Sequence, residues 1–347
     1  MYIKKILMII AVIGVLIAGV FAYNVYAAIF GANTAFENEE AHLYIETDAT
    51  FAQVKEDIAP LLERIEDFEN VAQKKGYVSN IKPGHYIIKK GMSSNDIINT
   101  IRSKNMPIKV AFNNQERLED LAGRIANQIE ADSVSLAQAF LNPDYLKANG
   151  FTTETALTMY IPNSYELYWN TDAIAFRNKM NKEYNRFWNT SRQAKAKKIN
   201  LSQAEVYTLA SIVQKETAKI DERPRVAGVY MNRLKRNIKL DADPTVIYAV
   251  KKEKGDFNTV IKRVLYKDLE VSSPYNTYRN RGLPPGPIFM PDVTAIDAVL
   301  NYEKHDYYYF VANIEKMGYH KFAKSLSQHN ANAVAYRNWI ARQGIRR

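Results

Sequence analysis

The stretch from Asn200 to Ala218, NLSQAEVYTLASIVQKETA, sets the pattern around which the rest of the chain is interpreted. Ser202 and Glu205 stand three residues apart before an apolar run, which is the spacing of a capping box. We therefore predict a helix that begins directly after Ser202. One face of that helix is defined by residues three or four positions apart, namely Val206, Leu209, Val213 and Glu216.

Glu216 is the candidate catalytic residue of this helix. Its carboxyl group continues an apolar face, and partial burial among apolar groups raises the pKa of a carboxyl group. A raised pKa allows a carboxylic acid to donate a proton near neutral pH, as a general acid must. The same spacing also fits an apolar face that simply ends at Glu216, whose side chain would then be solvated. The spacing alone does not decide between these two interpretations.

An apolar segment near the N-terminus predicts a transmembrane helix. Residues Ile6 to Tyr23 are apolar or glycine, and no charged residue occurs from Ile6 through Phe36. As a helix, residues Ile6 to Tyr23 would extend about 27 Å, close to the hydrocarbon thickness of a bilayer. Lys4 and Lys5 precede it, which predicts that the N-terminus is cytoplasmic and that the rest of the chain is extracytoplasmic.

A cleaved signal peptide is the alternative for this segment, with Val25-Tyr26-Ala27 as the cleavage site. The apolar region is longer than the roughly 7–15 residues of a signal peptide, which favours a permanent anchor. Both interpretations place the rest of the chain outside the cytoplasm. We therefore expect a single-pass protein of the cytoplasmic (inner) membrane.

Composition narrows the classes of function. The chain has no cysteine, which excludes disulfide bonds and thiolate catalysis. Its formal net charge of +10 suits an anionic polymer or membrane surface, but the basic residues are interleaved with acids, so no nucleic acid partner is expected. The five histidines show no metal-ligand spacing, and the sequence has neither a phosphate-binding glycine loop nor a nucleophile elbow. A carboxylate is therefore the favoured catalytic group, and no metal or cofactor is expected.

The predicted elements divide the chain into four parts. Their mixture of helices and strands predicts an α+β fold class. Residues 1–30 form the cytoplasmic tip and the anchor, and residues 31–41 form a polar linker. Strands and helices alternate over 42–112, which predicts a small module. Residues 113–347 are mainly helical, with a proline-bearing interruption at 159–165. In the loop 272–291, Tyr275 to Tyr278 are expected to be exposed and to offer flat faces to sugar rings, or alternatively to pack the loop down.

Several motifs resemble, in order and spacing, those of the YceG-like endolytic murein transglycosylases, the MltG type. The first is LASIVQKET at 209–217, followed by VYMNRL at 229–234 and LDADPTVIY at 240–248. YNTY at 275–278 and GLPPGPI at 282–288 come next. Near the C-terminus stand YFVA at 309–312, HKF at 320–322 and HN at 329–330. Together these motifs cover about residues 160–335.

This resemblance implies a LysM-like module over 42–112 and a YceG-like catalytic domain over 113–347. It transfers the catalytic glutamate of the family to Glu216, which would protonate the oxygen between N-acetylmuramic acid and N-acetylglucosamine. As a carboxylate, Glu216 would then accept the proton of the muramic C6 hydroxyl as that group attacks C1. The expected product ends in 1,6-anhydro-N-acetylmuramic acid, and the reaction would limit the length of nascent glycan strands.

The resemblance also predicts substrate contacts and partners. The candidate substrate-binding residues are Asp243, Thr245, Tyr275, Asn276, Thr277 and Gln214. Many relatives have a glutamate in place of Gln214, so a second acid at that position is dispensable or altered in role. The expected partners are peptidoglycan glycan strands, membrane lipid around the N-terminal helix, and peptidoglycan synthases. A catalytically silent wall-binding scaffold and a muramidase-type hydrolase are the alternative functions.

Overall fold

A computed structural model describes residues 2–343. The α-helices are α1 Tyr2–Phe30, α2 Phe51–Ile58, α3 Ile65–Lys74, α4 Ser94–Ser103, α5 Leu118–Ala126, α6 Ser133–Phe140, α7 Pro143–Ala148, α8 Ala173–Phe187, α9 Thr190–Lys198, α10 Gln203–Glu216, α11 Arg223–Lys235, α12 Asp243–Lys254, α13 Val293–Leu300 and α14 Leu326–Arg342. The strands are β1 Glu40–Ile45, β2 Gly84–Lys89, β3 Pro107–Phe112, β4 Asn163–Tyr168, β5 Tyr309–Ala312 and β6 His320–Ala323. The fold is therefore mixed α+β, as predicted.

The N-terminal helix α1 is long and apolar enough to cross a membrane. Its 29 residues would extend about 44 Å, and none of the residues Tyr2–Phe30 is buried in the fold. The predicted apolar segment lies wholly within this helix, which confirms the prediction of a helix that can span a bilayer. The helix extends beyond that segment at both ends because neither flank contains a proline.

The described chain forms two compact units. The first contains the residues up to 110 together with 128–131 and 165–172, and the second contains 111–127, 132–164 and the residues from 173 onward. The predicted boundary after residue 112 missed the two short segments that return to the first unit. One of them is held by Glu130, whose carboxylate accepts hydrogen bonds from Thr47 N at 2.5 Å and Thr47 Oγ1 at 2.6 Å. Contacts between residues so distant in sequence leave no periodic signal.

The first unit is built on the antiparallel pair of β1 and β2, in which Leu43 lies opposite Tyr86. Helices α2 and α4 begin with capping boxes at Thr50 and Ser93, where the side-chain oxygen accepts the amide three residues on. The inward faces of the pair and of α2, α3 and α4 bury one apolar core, with Val54, Phe68, Tyr86 and Ile97 among its members. The sequence predicted these strands and helices, with boundaries that differ by a few residues.

The segment 31–41, predicted as a polar linker, belongs to this first unit. Asn33 is fully buried, and its side-chain amide donates to Ser94 Oγ at 2.9 Å and to the Arg64 carbonyl at 2.8 Å. Its side-chain oxygen accepts from Arg64 N at 2.8 Å. The polar side chain of Asn33 is therefore satisfied by internal hydrogen bonds, whereas Glu37, Asn38 and Glu39 of the same segment are exposed to solvent.

Strand β4 pairs with β3, where the sequence predicted only an interruption between helices. Tyr165 and Leu167 are buried and alternate with exposed residues, which is the period of a strand with one covered face. Pro162 directly precedes the strand and favoured an irregular segment in the sequence interpretation. A six-residue alternation is too short to outweigh that signal.

Helix α10 is a central helix of the second unit and packs against α11, α12 and α13. It begins as predicted, because Glu205 N donates to Ser202 Oγ at 3.2 Å and Ser202 N donates to the Glu205 carboxylate at 2.7 Å. Every residue from Val206 to Val213 is buried. The helix is therefore surrounded on all sides, and the prediction of a single apolar face was too narrow.

A short antiparallel hairpin of β5 and β6 follows α13, with Phe310 opposite Phe322, and it packs against α14. The sequence did not predict this hairpin, because strands of four residues carry little alternation. Its position is important for function, since β5 supplies part of the wall of the cavity around Glu216.

Candidate active site

Glu216 is the last residue of α10 and lines a cavity of about 490 Å³. The chain leaves the helix at Thr217, which is extended, so the helix ends directly at the carboxyl-bearing residue. Side chains from α11, the segment before α12, the start of α12, the loop 272–291, β5 with the residue before it, and α14 complete the wall. They are Val229, Tyr230, Arg233, Leu240, Asp241, Asp243, Tyr278, Tyr308, Tyr309, Phe310, Leu326 and His329.

The side chain of Glu216 is partly buried and is held by Tyr230 of α11, whose hydroxyl donates to Oε1 at 2.7 Å. The pKa of Glu216 is raised to about 7, chiefly by loss of hydration and in smaller part by the nearby negative charge of Asp243. The hydrogen bond from Tyr230 acts in the opposite direction, because it stabilises the carboxylate. The pKa shift has the direction that the sequence predicted, and near pH 7 both protonation states are populated.

Asp243 is a second carboxyl group that lines the cavity, and it is the first residue of α12. The hydroxyl of Tyr278 donates to Asp243 Oδ1 at 2.7 Å. This contact ties the loop 272–291 to the start of α12. The ring of Tyr278 therefore stands in the cavity wall with its hydroxyl already occupied.

Asp241 is a third carboxyl group in the wall and pairs with Arg233 of α11. Arg233 is buried and also donates from Nε to the Lys239 carbonyl at 2.7 Å and from Nη1 to the Tyr308 carbonyl at 2.8 Å. The backbone of Asp241 has φ of 50°, in the left-handed region that non-glycine residues adopt rarely. One guanidinium group thus fixes the segment before α12 and the start of the β5 hairpin.

Thr245, Asn276 and Thr277 are buried, so the prediction that 276 and 277 are exposed is wrong. Thr277 Oγ1 lies 2.8 Å from Thr245 Oγ1 and accepts from Ala242 N at 3.0 Å. Asn276 donates through its side-chain amide to two carbonyls of its own loop, those of Leu269 and Val271, each at 2.9 Å. These side chains hold the loop against α12 and do not line the cavity, and their contact with substrate stays a prediction.

Tyr275 is also buried, contrary to the predicted exposure. Its ring lies 4.7 Å from that of Tyr248 on α12, and both rings line a second cavity of about 270 Å³. Tyr275 therefore follows the alternative prediction, in which the tyrosines of the loop pack against the rest of the protein. Tyr278 instead reaches the cavity of Glu216.

Gln214 lies two residues before Glu216 but does not line its cavity. Its side-chain amide donates to Asp292 Oδ2 at 2.9 Å, and its side-chain oxygen accepts from Asp292 N at 2.6 Å. Residues two positions apart on a helix point in different directions. Gln214 therefore joins α10 to the start of α13, and its contact with substrate stays a prediction.

Tyr230 and Arg233 are site residues that were not predicted from the sequence. Both belong to the motif at 229–234, and their separation of three residues places them on one face of α11. That spacing was an available signal, but nothing in it showed that this face points to Glu216. The contact between Tyr230 and Glu216 depends on how α10 and α11 pack.

The fold and cavity define a class of protein: an α+β protein with an N-terminal apolar helix and one protonatable glutamate in an open cavity lined by tyrosines. The model of the YceG-like family matches residues 43–335, and the chain belongs to this family. A solved structure, a yceG-like protein from Listeria monocytogenes, is similar with a TM-score of 0.57 and 26% identity. That match covers 85% of this chain and 99% of the other.

Two relatives carry the name endolytic murein transglycosylase. The protein of Bacillus subtilis (strain 168) is 41% identical over 144 residues, which is 42% of this chain and 38% of the relative. The protein of Streptococcus pneumoniae serotype 2 is 37% identical over 139 residues, which is 40% of this chain and 25% of the relative. The matched segments thus span well under half the length of these relatives.

Proposed function

We propose that this protein is an endolytic lytic transglycosylase that cleaves the bond between N-acetylmuramic acid and N-acetylglucosamine in peptidoglycan strands. The observation that carries the proposal is the carboxyl group of Glu216, which lines an open cavity, has a pKa of about 7 and accepts a hydrogen bond from Tyr230. The names of the relatives from Bacillus subtilis and Streptococcus pneumoniae agree with this activity.

In the proposed reaction, protonated Glu216 gives its proton to the glycosidic oxygen as the bond from that oxygen to C1 of the muramic residue breaks. The resulting carboxylate then takes the proton of the C6 hydroxyl, whose oxygen bonds to C1 and closes the 1,6-anhydro ring. Glu216 therefore ends the cycle protonated, and no water is consumed. A pKa near neutrality suits a group that must act first as an acid and then as a base.

Product analysis tests this proposal. Purified full-length protein in detergent, incubated with peptidoglycan glycan strands, is expected to release fragments ending in 1,6-anhydro-N-acetylmuramic acid, identified by mass spectrometry. Glu216→Gln is expected to abolish release because the amide cannot donate a proton of comparable acidity. Glu205→Gln on the same helix is the matched control, since Glu205 is exposed and outside the cavity. Undiminished release by Glu216→Gln would refute the role of Glu216.

A muramidase-type hydrolase is a second candidate function, favoured by the presence of Asp243 in the same cavity. In that case Asp243 would activate a water molecule while Glu216 protonates the leaving oxygen, as in glycosidases with two carboxyl groups. The fragments would then carry reducing ends, one water heavier than the anhydro ends. The same mass spectra therefore separate the two reactions.

A catalytically silent wall-binding scaffold is the third candidate. It would bind glycan strands through the same cavity and release no fragment of either kind. The raised pKa of Glu216 argues against this function, because desolvating a carboxyl group lowers stability without improving sugar binding.

The proposal extends to location and partners. We place the N-terminus in the cytoplasm and the second unit outside it, because Lys4 and Lys5 precede the apolar segment of α1. We further propose that the first unit acts as a LysM-like module and that the protein works beside peptidoglycan synthases, limiting the length of new strands. Co-purification of a synthase with the detergent-solubilised protein tests the last point.

A further inference from the structure

His329 lines the cavity of Glu216 but has no role in the proposed reaction. It lies near the start of α14, where His329 N donates to the Ser325 carbonyl at 3.0 Å and Ser325 Oγ accepts from Gln328 N at 3.2 Å. The imidazole ring stacks on the ring of Tyr309, with centroids 5.3 Å apart and planes inclined by 25°. Both the backbone and the ring of His329 are therefore held in place.

The two ring nitrogens of His329 lie in different surroundings. Nδ1 is buried and has no hydrogen-bond partner, whereas Nε2 is accessible and also has no partner within residues 2–343. Loss of hydration, and in smaller part the positive charge of Arg233, lowers the pKa of His329, so the ring is neutral at pH 7. A proton on Nδ1 would be a buried donor without an acceptor, whereas a proton on Nε2 can be donated to a ligand. The neutral ring therefore carries its proton on Nε2.

Donors that are free to bind a ligand are scarce in this cavity. The hydroxyl groups of Tyr230 and Tyr278 already donate to Glu216 and Asp243. Arg233 uses its guanidinium group on acceptors of the protein itself. A carboxylate can accept from the hydroxyl groups of a sugar but cannot pair with a carbonyl oxygen, which is an acceptor only. An accessible ring N–H on α14 therefore supplies what the carboxylates of the cavity lack.

An apolar side chain stands beside this donor. Leu326 lies three residues before His329 on α14, so the two side chains are neighbours on one helix face. Leu326 lines the same cavity, although 55% of it is exposed. An accessible donor next to an uncovered apolar side chain complements a ligand group in which an acceptor oxygen and a methyl group stand side by side.

We propose that His329 and Leu326 bind an acetamido group of the glycan strand. The carbonyl oxygen of that group accepts from His329 Nε2, and its methyl group packs on Leu326. The inference rests on the proposed function, because a glycan strand must occupy the cavity. If His329 served only to pack α14 on β5, its stacking on Tyr309 would be sufficient, and loss of its N–H would leave sugar binding unchanged.

Calorimetric titration of the full-length chain in detergent tests this site, in the Glu216→Gln background so that no glycan is cleaved. The probes are tetra-N-acetylchitotetraose and cellotetraose. These uncharged tetrasaccharides share their linkage and differ in bearing either an acetamido group or a hydroxyl group at C2 of each ring. The parent protein is expected to bind the acetylated sugar at least roughly tenfold more tightly, because only that sugar has the group that His329 and Leu326 bind.

Substitutions on α14 separate the donor from the packing. His329→Phe keeps an aromatic ring against Tyr309 but removes the donor, and is expected to weaken binding of the acetylated sugar roughly tenfold. His329→Gln restores a donor, because Nε2 of glutamine stands as many bonds from Cβ as Nε2 of histidine, and should bind within about threefold of the parent. Leu326→Ala is expected to weaken binding roughly threefold through the lost methyl contact. Ser327→Ala is the matched control, since Ser327 is exposed on the same turn and outside the cavity.

Two results would overturn the site. One is a parent protein that binds both sugars equally or binds neither, and this result needs no variant to fold. The other is a folded His329→Phe protein that binds the acetylated sugar as tightly as the parent or loses affinity for both sugars alike. Because affinity and not cleavage is measured, the acetamido site can fail while 1,6-anhydro products are still found, and it can stand if the fragments carry reducing ends instead.

Discussion

At the scale of single residues, the contact between Tyr230 and Glu216 sets the protonation of the proposed acid. The Tyr230 hydroxyl lowers the pKa of Glu216 by stabilising the carboxylate. Tyr230→Phe is therefore expected to raise that pKa and to move the alkaline limb of the pH–activity profile to higher pH. The maximal rate should fall roughly tenfold, because the carboxyl group loses the hydrogen bond that orients it.

Tyr319→Phe is the control for this prediction, since Tyr319 also donates to a carboxylate, Asp221, at 3.0 Å but lies outside the cavity. Rates measured across pH 5–9 provide the comparison. A Tyr230→Phe profile with an unmoved or lowered alkaline limb would contradict the pairing.

Glu216 also has a predictable effect on stability. Its pKa rises from 4.5 in the unfolded chain to about 7 in the folded one, so the folded state holds its proton more tightly. The free energy of unfolding therefore falls as the pH rises from 4.5 to 7. The total loss is about 3 kcal/mol and is complete above pH 7. Glu216→Gln does not titrate, so its melting temperature relative to the wild type should rise between pH 5 and pH 8.

Thermal unfolding at both pH values measures this difference, with Glu205→Gln as the control. An equal difference at pH 5 and pH 8 would show that the carboxyl group is not desolvated. Holding an acid in a poorly hydrated position lowers the stability of the wild type. Removing the proposed catalytic group is therefore expected to restore that stability.

At the scale of elements, Glu222 joins the β5–β6 hairpin to the end of α10. Its buried carboxylate accepts from His320 N at 2.6 Å, from Thr217 Oγ1 at 2.9 Å, and contacts His320 Nδ1 at 2.9 Å. Thr217 directly follows Glu216, and the His320 ring packs on Phe310 in the cavity wall at 4.9 Å. Glu222 is therefore a positioning residue, which connects both sides of the cavity without lining it.

Glu222→Ala is expected to destabilise the fold by about 2–3 kcal/mol, because it leaves buried donors without an acceptor. The rate constant for cleavage should fall more than the binding of substrate weakens, since Glu216 and Phe310 lose their common support. Asp221→Ala provides the control at the neighbouring exposed carboxylate. Unchanged melting temperature and rate in Glu222→Ala would show that the hairpin is held by other contacts.

The elements also show how far the sequence predicts this fold. Capping residues and apolar runs are local, so the starts of α4, α10 and the break between α8 and α9, capped by Asn189, were predictable. Strand β4 and the β5–β6 hairpin were not, because short strands are stabilised by partners distant in the chain. For the same reason Glu216 was identifiable, while its contact with Tyr230 required the packing of α10 on α11.

At the scale of the whole molecule, α1 is long and apolar enough to cross a membrane, and the proposed orientation places the second unit outside the cytoplasm. The absence of cysteine permits a direct test, because a single introduced cysteine reports its own accessibility. In intact cells, Lys147→Cys, in an exposed position of the second unit, should react with a membrane-impermeant maleimide. Lys4→Cys should react only after lysis. The reverse pattern would refute the proposed orientation.

The positions of two carboxyl groups in the cavity have a consequence for their charge. Glu216 is the last residue of α10, and Asp243 is the first residue of α12. The backbone dipoles of a helix leave partial negative charge at its C-terminus and partial positive charge at its N-terminus. The end of α10 therefore favours a neutral, proton-bearing Glu216, and Asp243 stands at the opposite end of its own helix. The direction in which α10 runs thus acts together with burial to keep the proton on Glu216.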